Sequence, residues 1–177
     1  EHNHDLHGLW LVARGMLQDA ACKDALLAQS RSGDDSATRA GAVYGLGLLG
    51  DATTIPSLKQ SLADDHCPYV RGAVAMVMAA AFGDAATPIL AERVALEKDA
   101  GVRGAIAFSL GATGDPLAGK ELLKLAGADD TILRASAIRA LGRLCDVERA
   151  RSFGRLAWGA TPSDLPATFA YLAQIDR

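Results

Sequence analysis

The chain has 177 residues and a formal net charge of −3, and half of its residues are apolar although only 5% are aromatic. The negative charge argues against general attraction to nucleic acid or to an anionic membrane, and the longest apolar run, VAMVMAAAF, is far shorter than the roughly 20 residues that span a bilayer. Alanine, leucine and glycine supply most of the apolar residues, which favours closely packed helices over a β-rich core.

The first segment, HNHDLH at residues 2–7, contains three histidines and an aspartate that could ligate a metal. A chain terminus organises such a site poorly, so we expect an ordinary polar terminus and no metal. A helix is predicted over residues 5–18, with Trp10 and Leu17 on its core side. Arg14 stands where the later copies have Leu or Met. The charge indicates a solvated capping edge, whereas the apolar pair indicates that a preceding helix was removed.

The chain contains an internal repeat. Five aspartates close similar segments at intervals of 32, 33, 31 and 31 residues: Asp19, Asp51, Asp84, Asp115 and Asp146. Twelve or thirteen residues before each of them stand His7, Arg39, Arg71, Arg103 and Arg134. Next to these lie Gly8, Ala40, Gly72, Gly104 and Ala135. Eight positions after the arginine column come Gly15, Gly47, Ala79, Gly111 and Gly142. Matching columns at one period predict a stack of repeated supersecondary units.

Each unit holds two helical stretches, one after the closing Asp and one led by the arginine. Gly50, Gly83 and Gly114 precede a closing or opening Asp, so they are predicted to end helices in the left-handed conformation. Four acids are predicted to cap the arginine-led helices: Asp35, Asp65, Asp99 and Asp130. The predicted units are 1–19 (a half-repeat), 20–51, 52–84, 85–115, 116–146 and 147–177, the last a degenerate C-terminal cap. Together they form one domain over 1–177.

The segments VRGAIAFSLGATGD and LRASAIRALGRLCD resemble the second helix of HEAT repeats, in the short variety also found in phycobilin lyases. The resemblance covers residues 5 to about 160. It implies an all-α fold, a right-handed α-solenoid of antiparallel helix pairs, and a scaffold that binds proteins. It also implies that the recurring arginines and aspartates form a structural ladder between units: Arg39, Arg71, Arg103, Arg134, Asp51, Asp84, Asp115 and Asp146.

A helical wheel of the arginine-led segment, at about 100° per residue, places positions −1, 3, 7 and 10 on the core face. Positions 5 and 9 face the predicted concave side. Position 5 carries Val12, Tyr44, Met76, Phe108 and Arg139. Position 9 carries Met16, Leu48, Ala80, Ala112 and Arg143. We expect an apolar groove, floored by the small residues of position 1, that accepts a helix or extended peptide with its acidic end toward the two arginines. Tight curvature that packs these side chains on one another is the alternative.

Other functions find less support. Residues 132–158 hold six arginines against two acids, but only Phe153 and Trp158 could stack on bases, so nucleic acid binding is disfavoured. No phosphate-binding glycine pattern is present, and His66 and Cys67 are adjacent without an orienting acid. The His-Glu pairs of helical hydroxylases built from this repeat are missing. No catalytic residue, cofactor or metal is therefore assigned. A phycobilin lyase-like or tetrapyrrole-handling protein is the alternative.

The number and spacing of the cysteines indicate the kind of cellular compartment. Cys22, Cys67 and Cys145 are odd in number and lack CxxC spacing, so neither a disulfide framework nor a cysteine zinc site is predicted. A reducing compartment, and hence the cytoplasm, is expected. The chain begins with Glu and shows no secretory signal, so it is either processed or a piece of something longer, and a periplasmic or anchored fragment stays open.

Overall fold

The computed structural model of the protein describes residues 3–17 and 20–144. All regular secondary structure in these ranges is helical. Five helices carry the arginine column or its equivalent and are called the arginine-column helices: α1 (Asn3–Met16), α3 (Ser36–Leu49), α5 (Pro68–Phe82), α7 (Ala100–Ala112) and α9 (Thr131–Leu144). The helices between them are α2 (Lys23–Ser32), α4 (Ile55–Asp64), α6 (Thr87–Leu96) and α8 (Pro116–Ala126). Short 3-10 turns lead into α2, α4 and α6.

The chain divides into two compact units, Glu1–Phe82 and Gly83–Arg177. In the N-terminal unit, α3 packs against α1 on one side and α5 on the other, while α2 packs on α3 and α4 on α5. In the C-terminal unit, α7 packs against α9, and α6 and α8 pack on these two helices. Helix pairs that bury their apolar faces against neighbouring pairs are the arrangement that the repeat predicts, so the expected all-α solenoid is confirmed.

The turns between units have the geometry that the glycines predicted. Gly50, Gly83 and Gly114 have φ values of 63°, 47° and 73°, the left-handed region that only glycine adopts without strain. After two of them an aspartate opens the next helical segment: Asp51 accepts the Thr53 N–H and Asp115 accepts the Leu117 N–H. A left-handed glycine followed by a capping acid reverses the chain within a few residues, which sets the short period of the repeat.

Three of the four predicted caps of the arginine-column helices are also confirmed: Asp35, Asp99 and Asp130. The carboxylates of Asp35 and Asp99 each accept the N–H group three residues later, at 2.7 and 2.9 Å. Asp130 accepts the Ile132 N–H at 2.9 Å. These three acids satisfy N–H groups that lack partners within the helix. Asp65 instead accepts the Cys67 N–H at 2.8 Å, and its prediction as a cap is wrong because α5 begins only at Pro68.

The core faces of the arginine-column helices match the wheel. Positions 3 and 7 of α3, α5, α7 and α9 are buried: Ala42, Leu46, Val74, Met78, Ile106, Leu110, Ala137 and Leu141. A second column, missed in the sequence analysis, lies on the intervening helices at a constant interval of 32 residues and is fully buried: Leu26, Leu58, Leu90 and Leu122. We call α2, α4, α6 and α8 the leucine-column helices. The two columns together form the layer that holds each helix pair.

Small residues let the arginine-column helices touch at their backbones. A Cβ atom added to Gly15 would lie 2.5 Å from the Gly45 carbonyl oxygen, and one on Gly111 would lie 2.5 Å from the Ala140 oxygen. Gly8 and Gly104, both at position 1, are buried, and an added Cβ would meet Ala37 O at 2.9 Å and Ser136 Oγ at 3.0 Å. The prediction that these glycines form the floor of a groove is therefore wrong, because they are used for helix–helix packing.

One described stretch, Pro68–Leu96, is long and apolar enough by length and composition to cross a membrane, with a mean hydropathy of 1.6. Half of its most apolar 18-residue segment is buried inside the protein, and the stretch comprises α5, a 3-10 turn at Gly83 and α6. The buried core helix of a soluble protein passes the same test, so this stretch is weak evidence for a membrane span.

Candidate functional site

The most extensive polar contact of the described residues centres on Arg39 in α3. Its Nε donates to Asp65 Oδ2 at 2.7 Å and its Nη2 to Asp65 Oδ1 at 3.2 Å, while Nη1 donates to the Gly33 carbonyl at 3.1 Å. The Asp65 hydrogen bond raises the pKa of Arg39 against the opposing effect of burial. Burial alone would raise the pKa of Asp65, but hydrogen bonds from Arg39 and the Cys67 N–H outweigh it and lower that pKa. This forked pair joins α3 to the loop that precedes α5.

The same geometry recurs along the arginine column. Arg71 and Arg134 each donate from Nη1 to the carbonyl six residues earlier, Asp65 O at 2.8 Å and Ala128 O at 3.0 Å. Arg103 pairs with Asp130, the cap of α9. Each arginine therefore binds the loop that leads into its own helix, an aspartate that precedes the next arginine-column helix, or both. This placement accounts for one arginine per unit without any catalytic role.

The closing aspartates play a different part from the one that the family resemblance implied. Asp51 accepts from Lys23 Nζ at 2.7 Å, and this contact, with the Thr53 hydrogen bonds, lowers the pKa of Asp51 to about 2. Asp115 caps α8, and Asp84 is exposed. Their assignment as partners of the arginines is wrong for Asp51 and Asp115, because these carboxylates sit at the N-terminus of the following helix and accept its N–H groups. Asp146 lies outside the described residues.

An apolar groove is present on the N-terminal unit, between α3 and α5. Its walls carry Tyr44 and Leu48 from α3 and Met76 and Ala80 from α5, and Leu48 and Met76 are 45% and 42% exposed. The depression has a volume of about 400 Å³, and Gly47, Val77 and Ala81 complete its lining. Positions 5 and 9 of these two helices thus face solvent and not the layer between paired helices. Val12, at position 5 of α1, is half-buried.

Tyr69 lies close enough to Tyr44 to affect its titration, and it was missed in the sequence analysis. It is exposed at the start of α5, and burial together with the field of Tyr69 raises the pKa of Tyr44. Tyr69 stands two positions before the arginine column, and a wheel at about 100° per residue puts that position between positions 5 and 9. The wheel could therefore have found it. A pair of tyrosines gives the groove a polar edge, since each ring has an apolar body and a hydroxyl.

The remaining predicted groove residues lie on the C-terminal unit. The Arg143 guanidinium stands over the Phe108 ring, with 4.4 Å from Cζ to the ring centroid. Arg139, one turn earlier on α9, is exposed and donates to Ser136 Oγ at 3.3 Å. Stacking on an aromatic face leaves the N–H edge of a guanidinium available to a carboxylate. The predicted strip is therefore divided between two units: an apolar groove in one, and a stacked arginine with a second arginine in the other.

The described part of the chain does not complete a metal or catalytic site around the candidate histidines and cysteines. Among the residues described, no group of three or more His, Cys, Asp or Glu side chains could hold a metal ion. The His7 ring lies 5.8 Å from the Trp10 ring. His66 Nε2 is 3.3 Å from Arg39 Nη2, so the histidine contacts the arginine column. Cys22 and Cys67 are free thiols.

Comparison with known proteins identifies the repeat. A family model described as HEAT repeats matches residues 23–111, half of the chain, from the start of α2 to near the end of α7. No curated protein matches the chain. HEAT repeats commonly act as protein-interaction scaffolds, and the family is generally non-catalytic. The matched range contains three successive arginine-column helices and their leucine-column partners. The chain therefore belongs to the HEAT-repeat family.

Proposed function

We propose that this chain is a non-catalytic scaffold that binds a protein segment through the apolar groove of its N-terminal unit. The observation that carries the proposal is the groove itself: Leu48 and Met76 stay nearly half exposed and line a depression of about 400 Å³. Single exposed apolar residues are ordinary, whereas a contiguous concave set of them marks a binding surface.

The groove favours a partner with apolar side chains and little charge. Its volume falls at the small end of the 300–1,000 Å³ typical of ligand pockets, which suits one or two side chains of a helix or extended peptide. Met76 is unbranched and adapts its shape to what it contacts. The hydroxyls of Tyr44 and Tyr69 supply the polar contacts that fix orientation.

The arginines of the C-terminal unit form a second proposed surface, which suits acidic residues. Arg143 is held by the Phe108 ring, so less side-chain freedom is lost when it pairs with a carboxylate. Arg139 adds a second exposed cation on the same helix. We therefore expect acidic residues to favour binding at this second surface, and that binding to weaken as salt screens the charges.

The test uses peptides selected from a random library on the full chain, with affinities measured by calorimetry. Tyr44→Asp and Phe108→Asp place a charge in the two surfaces, and Leu117→Asp, at an exposed position of α8, is the matched control. We expect unchanged helicity in all three variants. Each of the first two should lose the peptides that occupy its own surface, while the control binds all of them. Collapse of the fold in Tyr44→Asp indicates that the groove is internal packing. Equal binding by all variants refutes the groove.

We further propose that the protein works in the cytoplasm. Two of its three cysteines are free, with Cys22 buried and Cys67 half-buried, as suits a compartment where thiols stay reduced. Fractionation of cells that express the full-length protein tests this location, and recovery in an oxidising compartment contradicts it.

A further inference from the structure

Three described contacts between neighbouring arginine-column helices use the same two positions of the repeat. In each contact, a glycine at position 8 of one helix faces the residue at position 6 of the next. The contacts are Gly15 with Gly45, Gly47 with Val77, and Gly111 with Ala140. Position 6 carries no side chain in α3, a methyl group in α9 and a branched side chain in α5. The three contacts therefore show the effect of side-chain size at one position.

The separation of the two helices follows the size of that side chain. A Cβ atom added to Gly15 would lie 2.6 Å from the Gly45 Cα, and one added to Gly111 would lie 2.7 Å from the Ala140 Cα. At Gly47 the three nearest atoms all belong to the Val77 side chain, at 2.4, 3.5 and 3.6 Å, so the α5 backbone is at least 3.6 Å away. The gap between α3 and α5 is thus wider by about 1 Å at this point. The α1–α3 and α7–α9 pairs also pack more extensively than the α3–α5 pair.

The Val77 side chain has little freedom to move out of this contact. Valine has one strongly preferred χ1 rotamer in a helix, and Val77 is only 6% exposed. Protein interiors are close-packed, so a side chain that does not fit moves its neighbours apart. The apolar groove lies at this same contact, and Gly47 and Val77 are both part of its lining. The wider gap between the helices therefore coincides with the groove.

We propose that Val77 determines the width of the apolar groove, and that the groove takes one large aromatic side chain of the partner segment. This inference rests on the proposed function. Tyr44 lies on the α3 wall of the groove and Met76 on the α5 wall. A methionine sulfur makes favourable contacts with the edge of an aromatic ring, and a tyrosine ring packs well against a second ring in an offset or edge-to-face arrangement. Both walls therefore favour an aromatic occupant.

The experiment changes the size of the Val77 side chain in the full chain. Val77→Ala reproduces the glycine–alanine contact of α7 and α9, and Val77→Ile keeps the branched Cβ. Val74→Ala is the matched control, because it removes the same methyl groups from the buried core face of the same helix.

Two readouts are measured for each variant. Crystal structures give the separation of α3 and α5 at Gly47. Nuclear magnetic resonance follows the isotopically labelled Met76 methyl group while N-acetyltryptophanamide is added. N-acetylalaninamide, which has no ring, is the control probe.

We expect the α5 backbone of Val77→Ala to approach Gly47 by about 1 Å, the difference between this contact and the other two. The shift of the Met76 resonance with N-acetyltryptophanamide should be lost in this variant and kept in Val74→Ala and Val77→Ile. An unchanged helix separation in Val77→Ala overturns the inference, and so does a probe that binds this variant as well as the wild type.

Two further outcomes are decisive. If the gap closes but the wild type does not bind N-acetyltryptophanamide, the aromatic occupant is refuted, whereas the proposed function is refuted only if the selected peptides also fail to bind. Should Val77→Ala not fold, Gly47→Ala is measured in its place. Its new methyl group would lie 2.4 Å from Val77 Cγ1, so α3 and α5 should move further apart, and an unchanged separation overturns the inference.

Discussion

The contact between Arg39 and Asp65 provides the sharpest test of how the arginine column stabilises this fold. Asp65→Asn removes the charge and keeps an oxygen that can accept the Cys67 N–H. The side chains of Arg39 and Asp65 are only 6% and 5% exposed, so the variant leaves the Arg39 charge in the interior without a counterion. Breaking a buried pair costs about 3–5 kcal/mol. Because the hydrogen bond from the Cys67 N–H survives, we expect a loss of about 3 kcal/mol.

The matched comparison is Asp130→Asn, which breaks the equivalent pair with Arg103. Those side chains are 29% and 25% exposed, so solvent screens the charges and the loss is clearly smaller. The assay is urea unfolding followed by circular dichroism at neutral pH, with the m-value checked for constancy. The double variant Arg39→Met with Asp65→Asn recovers part of the stability, since no unpaired charge remains. Equal losses in the two single variants refute the role assigned to burial.

Three further predictions follow from other contacts. The pKa of Asp51 is lowered to about 2 in the folded protein. Its contribution to the free energy of unfolding is therefore present above the unfolded pKa of about 4 and is lost as pH falls toward 2. If the ion pair is responsible, the free energy of unfolding of Lys23→Met declines less steeply than that of the wild type over this pH range. Gly111→Ala costs about 1–3 kcal/mol, because the new methyl meets the backbone of the next helix, whereas Gly101→Ala, which meets only a side-chain oxygen, is neutral or stabilising in thermal melts. A bilin mixed with the chain leaves its absorbance spectrum unshifted if the protein is a scaffold, and a specific shift that Tyr44→Asp abolishes supports the tetrapyrrole alternative.

The arginine column stabilises the ends of the helices, whereas the proposed binding surfaces lie on the middle of the helices. Arg39 and Arg103 bind aspartates that precede the next arginine-column helix, and Arg71 and Arg134 bind loop carbonyls. These contacts stay at the ends of the helices. The middle of each helix is then left to packing on one side and to a variable exposed surface on the other, where Tyr44, Met76 and Phe108 differ from unit to unit.

The sequence by itself determined the repeat period, the helix pairs, the capping acids and the left-handed glycines. These features depend on local rules: a glycine permits a positive φ, an aspartate accepts free N–H groups, and an apolar stripe follows the helical period. The exposure of positions 5 and 9 in α3 and α5 also follows from a local rule, because the helical wheel alone separates these positions from the core face. Tyr69 could have been added by the same wheel.

Only the tertiary structure decided which charges pair and where the glycines are used. Arg39 reaches Asp65, 26 residues away, and not the closing Asp51, because the chain brings the loop before α5 beside the guanidinium. Gly8 is buried against α3, since two helices without side chains at that point approach to backbone contact. Neither result follows from a period or a composition, because each depends on the distance between segments that are far apart in the chain.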